Sequence, residues 1–218
     1  MIAFHRLRSR ATKPNWTKHE KMSWLRPRSR AFRACARVLC STPPSEYDMY
    51  LARTLAPFVP TPQAVIESVM SLLDLTSDDQ FYDLGCGDGR VAVAAARWGA
   101  GRAVGIESEE LAMQAAHDQV AEMTALGQPP LLNLELRREN LLEADLSSAN
   151  ALYTYLSPAG NAKVGELLLN TAFAPGAVIR VVTCAFPLPN WDAREVVAQR
   201  RSVMGLDLFF YRWQQPKS

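Results

Sequence analysis

The chain has 218 residues, 48% of them hydrophobic, enough apolar side chain for the core of one domain with a tail. It contains no run of 18 or more apolar residues, so no membrane-spanning helix is predicted. The four cysteines, Cys35, Cys40, Cys86 and Cys184, fit no zinc-binding spacing and read as free thiols, and no metal site is predicted. The net charge of +2 is a sum of opposites: residues 1–40 hold 11 Lys/Arg and one acid, Glu20, whereas residues 41–218 hold 13 Lys/Arg and 21 Asp/Glu.

The basic end comes first. Arg26, Arg30, Arg33 and Arg37 fall at helical spacing, with Phe32, Cys35 and Leu39 on another face. A basic, amphipathic, acid-poor N-terminus containing serine has the pattern of a mitochondrial transit peptide, and "RVLCST" at 37–42 has the pattern of a processing site. The alternative is a disordered basic arm that touches anionic surfaces or nucleic acid. No apolar run follows the first charges, which argues against a secretory signal. The expected address is mitochondrial, otherwise cytoplasmic. Residues 41–62 are a Pro- and Ser-rich linker. The predicted layout is a leader and linker over 1–45 and one domain over 46–218.

Within the domain, Thr61 can cap a helix and Pro62 suits its first position. That helix is predicted to run to about Leu75 and to bury Val65, Val69, Leu72 and Leu73. "QFYDLG" then reads as a strand, "DGRVAVAAARWGA" as a helix and "RAVGIE" as a second strand. The next helix is predicted from Ser108, with Glu109 and Glu110 in its first turn and a buried stripe of Ala112, Ala116, Val120 and Met123. "LLNLELRREN" and "ANALYTYL" are the third and fourth strands. Ser157 and Pro158 open a helix with the stripe Val164, Leu167, Leu168 and Thr171. Pro175–Gly176 stops it before the fifth strand, "AVIRVVTCAF". "REVVAQRRS" and "LDLFFYRW" have no helix between them and read as a hairpin turning at Gly205. The predicted fold is α/β: a Rossmann-like, seven-stranded, mostly parallel sheet with helices on both faces and a C-terminal antiparallel hairpin.

"DLGCGDGR" joins the first strand to its helix. Ligands of such sheets bind beyond the carboxyl ends of the strands. Glycines let the backbone approach a ligand closely, and the following helix start offers free N–H groups to an anion. Glu107, twenty residues after Gly87 at the end of the second strand, can accept both hydroxyls of a ribose. A tight turn alone would not require that acid. The spacing departs from the dinucleotide pattern G-x-G-x-x-G, and no Lys-Ser/Thr follows as in a P-loop.

"DLGCGDGR" closely resembles motif I of the class I S-adenosylmethionine (SAM) methyltransferases, and Glu107 matches that family's acid after the second strand. The resemblance covers residues 58–215. "FVPTPQAVIESVMSLL", "VGIE" and "TYLSPAGNAKVGELLLNTAFAPGAVIRVVTCAFPLPNW" resemble a narrower subfamily. It includes bacterial relatives and mitochondrial protein-lysine methyltransferases of the ATP synthase c subunit or the adenine nucleotide translocase. The chain departs from those relatives in lacking their usual apolar, membrane-associating N-terminal segment. The resemblance implies SAM as cofactor and a protein lysine as acceptor; the acidic domain, lacking a basic strip, leads to no expectation of a nucleic acid partner. It implies that Asp83, Gly85 and Gly87 shape the loop around the SAM amino-acid moiety. Cys86 would contribute backbone there, Asp88 would stand near the ammonium, and Glu107 would bind the ribose. Asn140 and Leu141 would meet adenine, and Thr61 would help to close the pocket. At the fourth strand's end "TYLSP" stands where amino-methylating enzymes of nucleic acids and glutamine carry Asn/Asp-Pro-Pro-Tyr. That difference leaves Tyr155 either as an aromatic beside the transferred methyl or as a packing residue. Trp191 is either a rim aromatic or a core plug. His117, in mid-helix, is expected to be exposed. Two other readings remain open: methylation of a small molecule or RNA, and a non-catalytic SAM-binding assembly factor.

Overall fold

A computed structural model describes residues 59–189, 191 and 197–217. The leader, with its arginine spacing, Cys35 and Cys40, and most of the linker lie outside the described residues. The chain divides into two units, Met1–Glu46 and Tyr47–Ser218, and every described residue belongs to the second.

The elements run α1 (Gln63–Leu73), β1 (Gln80–Leu84), α2 (Arg90–Trp98), β2 (Arg102–Glu107), α3 (Glu110–Ala125), β3 (Leu134–Arg138), β4 (Ala151–Thr154), α4 (Pro158–Asn170), β5 (Val178–Cys184), β6 (Val197–Val203) and β7 (Leu206–Gln214). They build one seven-stranded sheet in the order β3-β2-β1-β4-β5-β7-β6. The first five strands are parallel, with Asp83 of β1 registered between Gly105 of β2 and Tyr153 of β4. β7 lies antiparallel between β5 and β6, so the C-terminal hairpin completes the sheet. The chain leaves β1 toward β2 and β3 and returns on the other side through β4 and β5. The switch point therefore falls between β1 and β4.

The strands form as they do because both faces are covered. Phe81 and Tyr82 are neighbours in sequence and belong to different cores. One core joins α1 and α2 to Phe81, Ala103, Tyr153 and Val182. The other lies under α4 and the 141–149 loop and holds Tyr82, Val104, Leu152 and Val181. α3 packs Met113 and Ala116 against Leu136, on the same face as α1 and α2. Among the described residues no helix is long and apolar enough to cross a membrane.

Two local expectations need correction, and one open alternative is decided. α1 begins at Gln63 with Pro62 as its cap residue, and no side chain caps it, because the Thr61 hydroxyl turns to the Tyr153 hydroxyl instead, at 3.2 Å. α3 starts at Glu110 with Glu109 as the cap residue, and its buried positions are Met113 and Ala116. Ala112, Val120 and Met123 are half-buried, because this helix covers the edge of the sheet at β3. Trp191 is a core residue, 2% exposed, with its ring edge-on to Tyr211 at 5.9 Å and to Trp213 at 4.8 Å. α4 begins as expected: Pro158 follows the cap residue Ser157, whose hydroxyl accepts the Gly160 N–H at 3.1 Å.

Candidate active site

The glycine loop is fastened to the end of β2. The N–H groups of Gly85 and Cys86 both donate to the Ile106 carbonyl at 2.9 Å. Gly85, Gly87 and Gly89 have φ of 81°, 55° and 77°, the left-handed region in which a Cβ is disfavoured. At Gly89 an added Cβ would also lie 3.0 Å from the Ala116 Cβ, so α3 can abut the loop only because no side chain stands there.

Glu107 closes the loop from the other side. Its Oε2 accepts the Gly87 N–H at 3.0 Å, and its Oε1 accepts the N–H groups of Ser108 at 2.8 Å and Glu109 at 2.9 Å. A carboxylate held by three backbone donors has a fixed orientation and, of its roughly four lone-pair sites, keeps one on Oε2 for a further donor.

Asp83 sits beneath the loop, 2% exposed, and its Oδ2 has no hydrogen-bond partner among the described residues. Burial pushes its pKa up to about 8; the carboxylates of Glu107 and Asp88 push the same way, and the Ala92 N–H pulls against them. Cys86 is buried as well. Its thiol is pushed far up, first by burial and then by Asp83 and Glu107, so it holds no thiolate at neutral pH. Its Sγ would lie 2.9 Å from a Cβ at Gly105, and the absence of that Cβ makes room for it.

Asp88, at the helix start, is ion-paired with Arg90, whose Nε lies 2.9 Å from Oδ1. The same guanidinium donates from Nη1 to the Thr61 carbonyl at 3.4 Å. Thr61 is thus held at its carbonyl by Arg90 and at its hydroxyl by Tyr153. Arg90 and Tyr153 join the site although neither stands out in the sequence. Arg90 ends the glycine motif, and Tyr153 precedes Tyr155 by two residues on the same strand face. Both signals were present, but neither names the partner.

Asn140 is exposed, and its amide is engaged locally: Oδ1 accepts the Leu142 N–H at 3.1 Å and Nδ2 donates to Glu143 Oε1 at 2.9 Å. Leu141 is buried in the core under α4. Tyr155 follows the last residue of β4, half-buried against the core under α1 and α2, and burial raises its hydroxyl pKa. His117 is exposed on α3. Asp83, Gly85, Cys86, Gly87, Asp88 and Glu107 therefore meet at the carboxyl ends of β1 and β2. Thr61 is tied to them through Arg90, while Asn140 follows β3 and Tyr155 follows β4 along the same edge. Among the described residues no three His, Cys, Asp or Glu side chains group as a metal site.

Residues 83–195 match the family described as the ANTKMT methyltransferase domain. A protein-lysine N-methyltransferase of Saccharolobus islandicus (strain REY15A) is 29% identical over 159 residues, which is 71% of this chain and 92% of that protein. Among solved structures, an RNA methyltransferase from Salinibacter ruber in complex with S-adenosyl-L-homocysteine is 32% identical, covers 73% of this chain and 95% of its own, and superposes with a TM-score of 0.58. A precorrin-6y C5,15-methyltransferase from Geobacter metallireducens GS-15 shares the fold at 16% identity, over 76% of this chain and 94% of its own, with a TM-score of 0.58. The residues present fit SAM as cofactor. A buried carboxyl with an unpaired oxygen suits a cationic, donor-bearing ligand, and the anchored Glu107 suits a ribose. The chain belongs to the ANTKMT methyltransferase domain family and is a SAM-dependent methyltransferase.

Proposed function

We propose that this methyltransferase modifies the ε-amine of a lysine in a protein, and that it works in mitochondria. The observation that carries the acceptor is the similarity to the S. islandicus protein-lysine N-methyltransferase across 92% of that protein's length. The absence of an amide-holding Asn/Asp-Pro-Pro-Tyr motif at the end of β4, where the chain reads "TYLSP", supports it. The arginine-rich, acid-poor leader supports the address.

SAM supplies a methyl group on a sulfonium, open to in-line attack by a neutral amine. Glu107 binds the ribose, accepting a hydroxyl with the Oε2 lone pair that its three backbone donors leave free. The loop at Gly85, Cys86 and Gly87 shapes the space for the amino-acid moiety; the unpaired Oδ2 of Asp83 accepts from its ammonium, whose charge favours release of the Asp83 proton on binding, and Asp88 stands near it at the helix start. Asn140 and Leu141 border the adenine, and Thr61, held by Arg90 and Tyr153, closes the near side. Tyr155 stands on the acceptor side.

A free lysine has a pKa of about 10.4. Desolvation beside a cation disfavours its ammonium form and lowers that pKa, while an aromatic face attracts what charge remains. Alignment then carries most of the rate. His117 is exposed on α3 and is not offered as a base.

The similarity to the Salinibacter ruber RNA methyltransferase favours RNA as the second reading. Against it, residues 41–218 carry 21 acidic and 13 basic side chains, a poor electrostatic match to a phosphate backbone. The test is transfer of tritium from SAM into a mitochondrial extract, followed by acid hydrolysis and chromatography of the amino acids. Label in methylated lysine is expected. Label that survives protease and is released by ribonuclease would replace lysine with RNA.

A further inference from the structure

The ends of β4 and β5 carry a buried polar cluster distinct from the residues named above for the cofactor. Thr154 and Thr183 are registered partners on these adjacent strands, and both are fully buried. Asn161, in the first turn of α4, is fully buried too. Leu152 and Val181, two residues earlier on each strand, lie in the core under α4, so by alternation both threonines face that helix.

The cluster grips one carbonyl. Thr183 Oγ1 and Asn161 Nδ2 each donate to the Phe186 carbonyl at 2.7 Å. The turn that brings it there passes through Ala185 at φ 66°, a left-handed conformation disfavoured for any residue with a Cβ. The Ala185 N–H is held by the Asp207 carbonyl at 2.8 Å and the Phe186 N–H by the Cys184 carbonyl at 2.9 Å. Four hydrogen bonds over-determine a strained turn, the condition under which such strain persists at functional sites. The side chain presented is a phenylalanine, 40% exposed and outside both cores. Thr154 Oγ1 and Asn161 Oδ1 remain buried without partners among the described residues. The region under the turn thus retains polar capacity that packing alone would have removed.

Position supplies the remaining argument. Glu107 ends β2 and the glycine loop follows β1, so the residues that would hold the cofactor's ribose and amino-acid moiety stand at the ends of β1 and β2 and would leave the ends of β4 and β5 to the acceptor. An acceptor must then arrive from the β4 and β5 side, where Tyr155 and the Phe186 turn leave neighbouring strand ends. We propose that the Phe186 ring, with Tyr155, walls the channel for the alkyl stem of the incoming lysine, and that Asn161 and Thr183 are its positioning residues. The inference rests on the lysine reading above. Two aromatic faces suit an aliphatic stem with a cationic head, and a phenyl ring offers no hydrogen bond to a planar amide or nucleobase.

The test uses the full chain, with total mitochondrial protein titrated as acceptor and methyl-lysine as the counted product. Phe186→Ala is expected to raise the apparent acceptor KM by roughly tenfold or more, with kcat changed less. Its calorimetric affinity for S-adenosylhomocysteine and its Tm should stay at wild-type values. Thr183→Val, which keeps shape and loses the donor, should raise the same KM by about three- to tenfold and speed amide hydrogen exchange at Phe186 and Leu188. Thr183→Ser keeps the hydroxyl and should behave as wild type. Methyl-lysine formed at wild-type kcat/KM by Phe186→Ala would overturn the wall and leave the lysine reading standing. So would a loss of S-adenosylhomocysteine affinity equal to the loss of rate, which would assign the turn to the cofactor. Label found in RNA and not in methyl-lysine would overturn the lysine reading and this wall with it.

Discussion

Asp83 has a protonation state in the folded protein that the unfolded chain does not share. In the folded chain it holds its proton up to about pH 8, whereas an unfolded Asp releases it near about pH 4. Between those limits the native state binds more protons, so this group's contribution to stability falls as pH rises through the window. Asp83→Asn removes the titration. Thermal melts without cofactor should show the wild type losing stability relative to Asp83→Asn from about pH 5 to about pH 8, while calorimetry shows weaker SAM binding in the variant. Parallel pH profiles would mean that Asp83 is ionised throughout. At this scale the sequence was only partly legible. Glu107 could be found by its distance from Gly87, because a ribose sets that distance. The Thr61–Tyr153 contact spans 92 positions, and no local pattern announces it. Whether the Asn140 amide faces a ligand depends on the turn that returns Glu143 to it, which is geometry and not composition.

The secondary-structure elements were easier to read, because both faces of the sheet are covered and the strands become apolar runs bounded by turns. The failures were helical. The α3 stripe shifted because β3 offers an edge and not a broad surface, and Thr61 gave up its capping role because Tyr153 competes for its hydroxyl. Trp191 could not be placed from sequence, since the space that accepts it is made by a glycine on another element. At Gly165, in mid-α4, an added Cβ would stand 2.9 Å from the Trp191 Nε1. Helix propensity favours alanine over glycine there by about 1 kcal/mol, whereas forcing a packed ring aside costs about 1–3 kcal/mol. Gly165→Ala should therefore lower stability in denaturant melts, against propensity, and quench or shift the buried tryptophan fluorescence. A stabilised variant would mean that the indole has room to move.

At the scale of the whole molecule, the division of charge sets a basic N-terminal stretch apart from an acidic remainder, and the address proposed above rests on the first. Residues 1–40 carry 11 basic side chains against one acid, and like charge of that density opposes compaction. Truncation to Ser41 should keep Tm and SAM affinity, and a fluorescent protein fused behind the first 46 residues should enter mitochondria. A diffuse cytosolic signal would remove the proposed address and leave the chemistry untouched. The mostly parallel sheet and the terminal hairpin followed from strand–helix alternation and from the missing last helix; the strand order, with β4 in the middle, did not, because it depends on pairing between distant segments. Among the described residues, that order also leaves β3 and β6 without a further strand at their outer sides. β3 presents Glu135 between Arg102 and Arg137, and β6 presents Arg200 and Arg201, with Arg200 paired to Asp207. Two copies meeting edge to edge would have to strip water from these charges before a single backbone hydrogen bond could form. Charged borders of this kind protect against strand-by-strand aggregation, so the protein can remain dispersed at concentrations where a bare apolar edge would seed fibres.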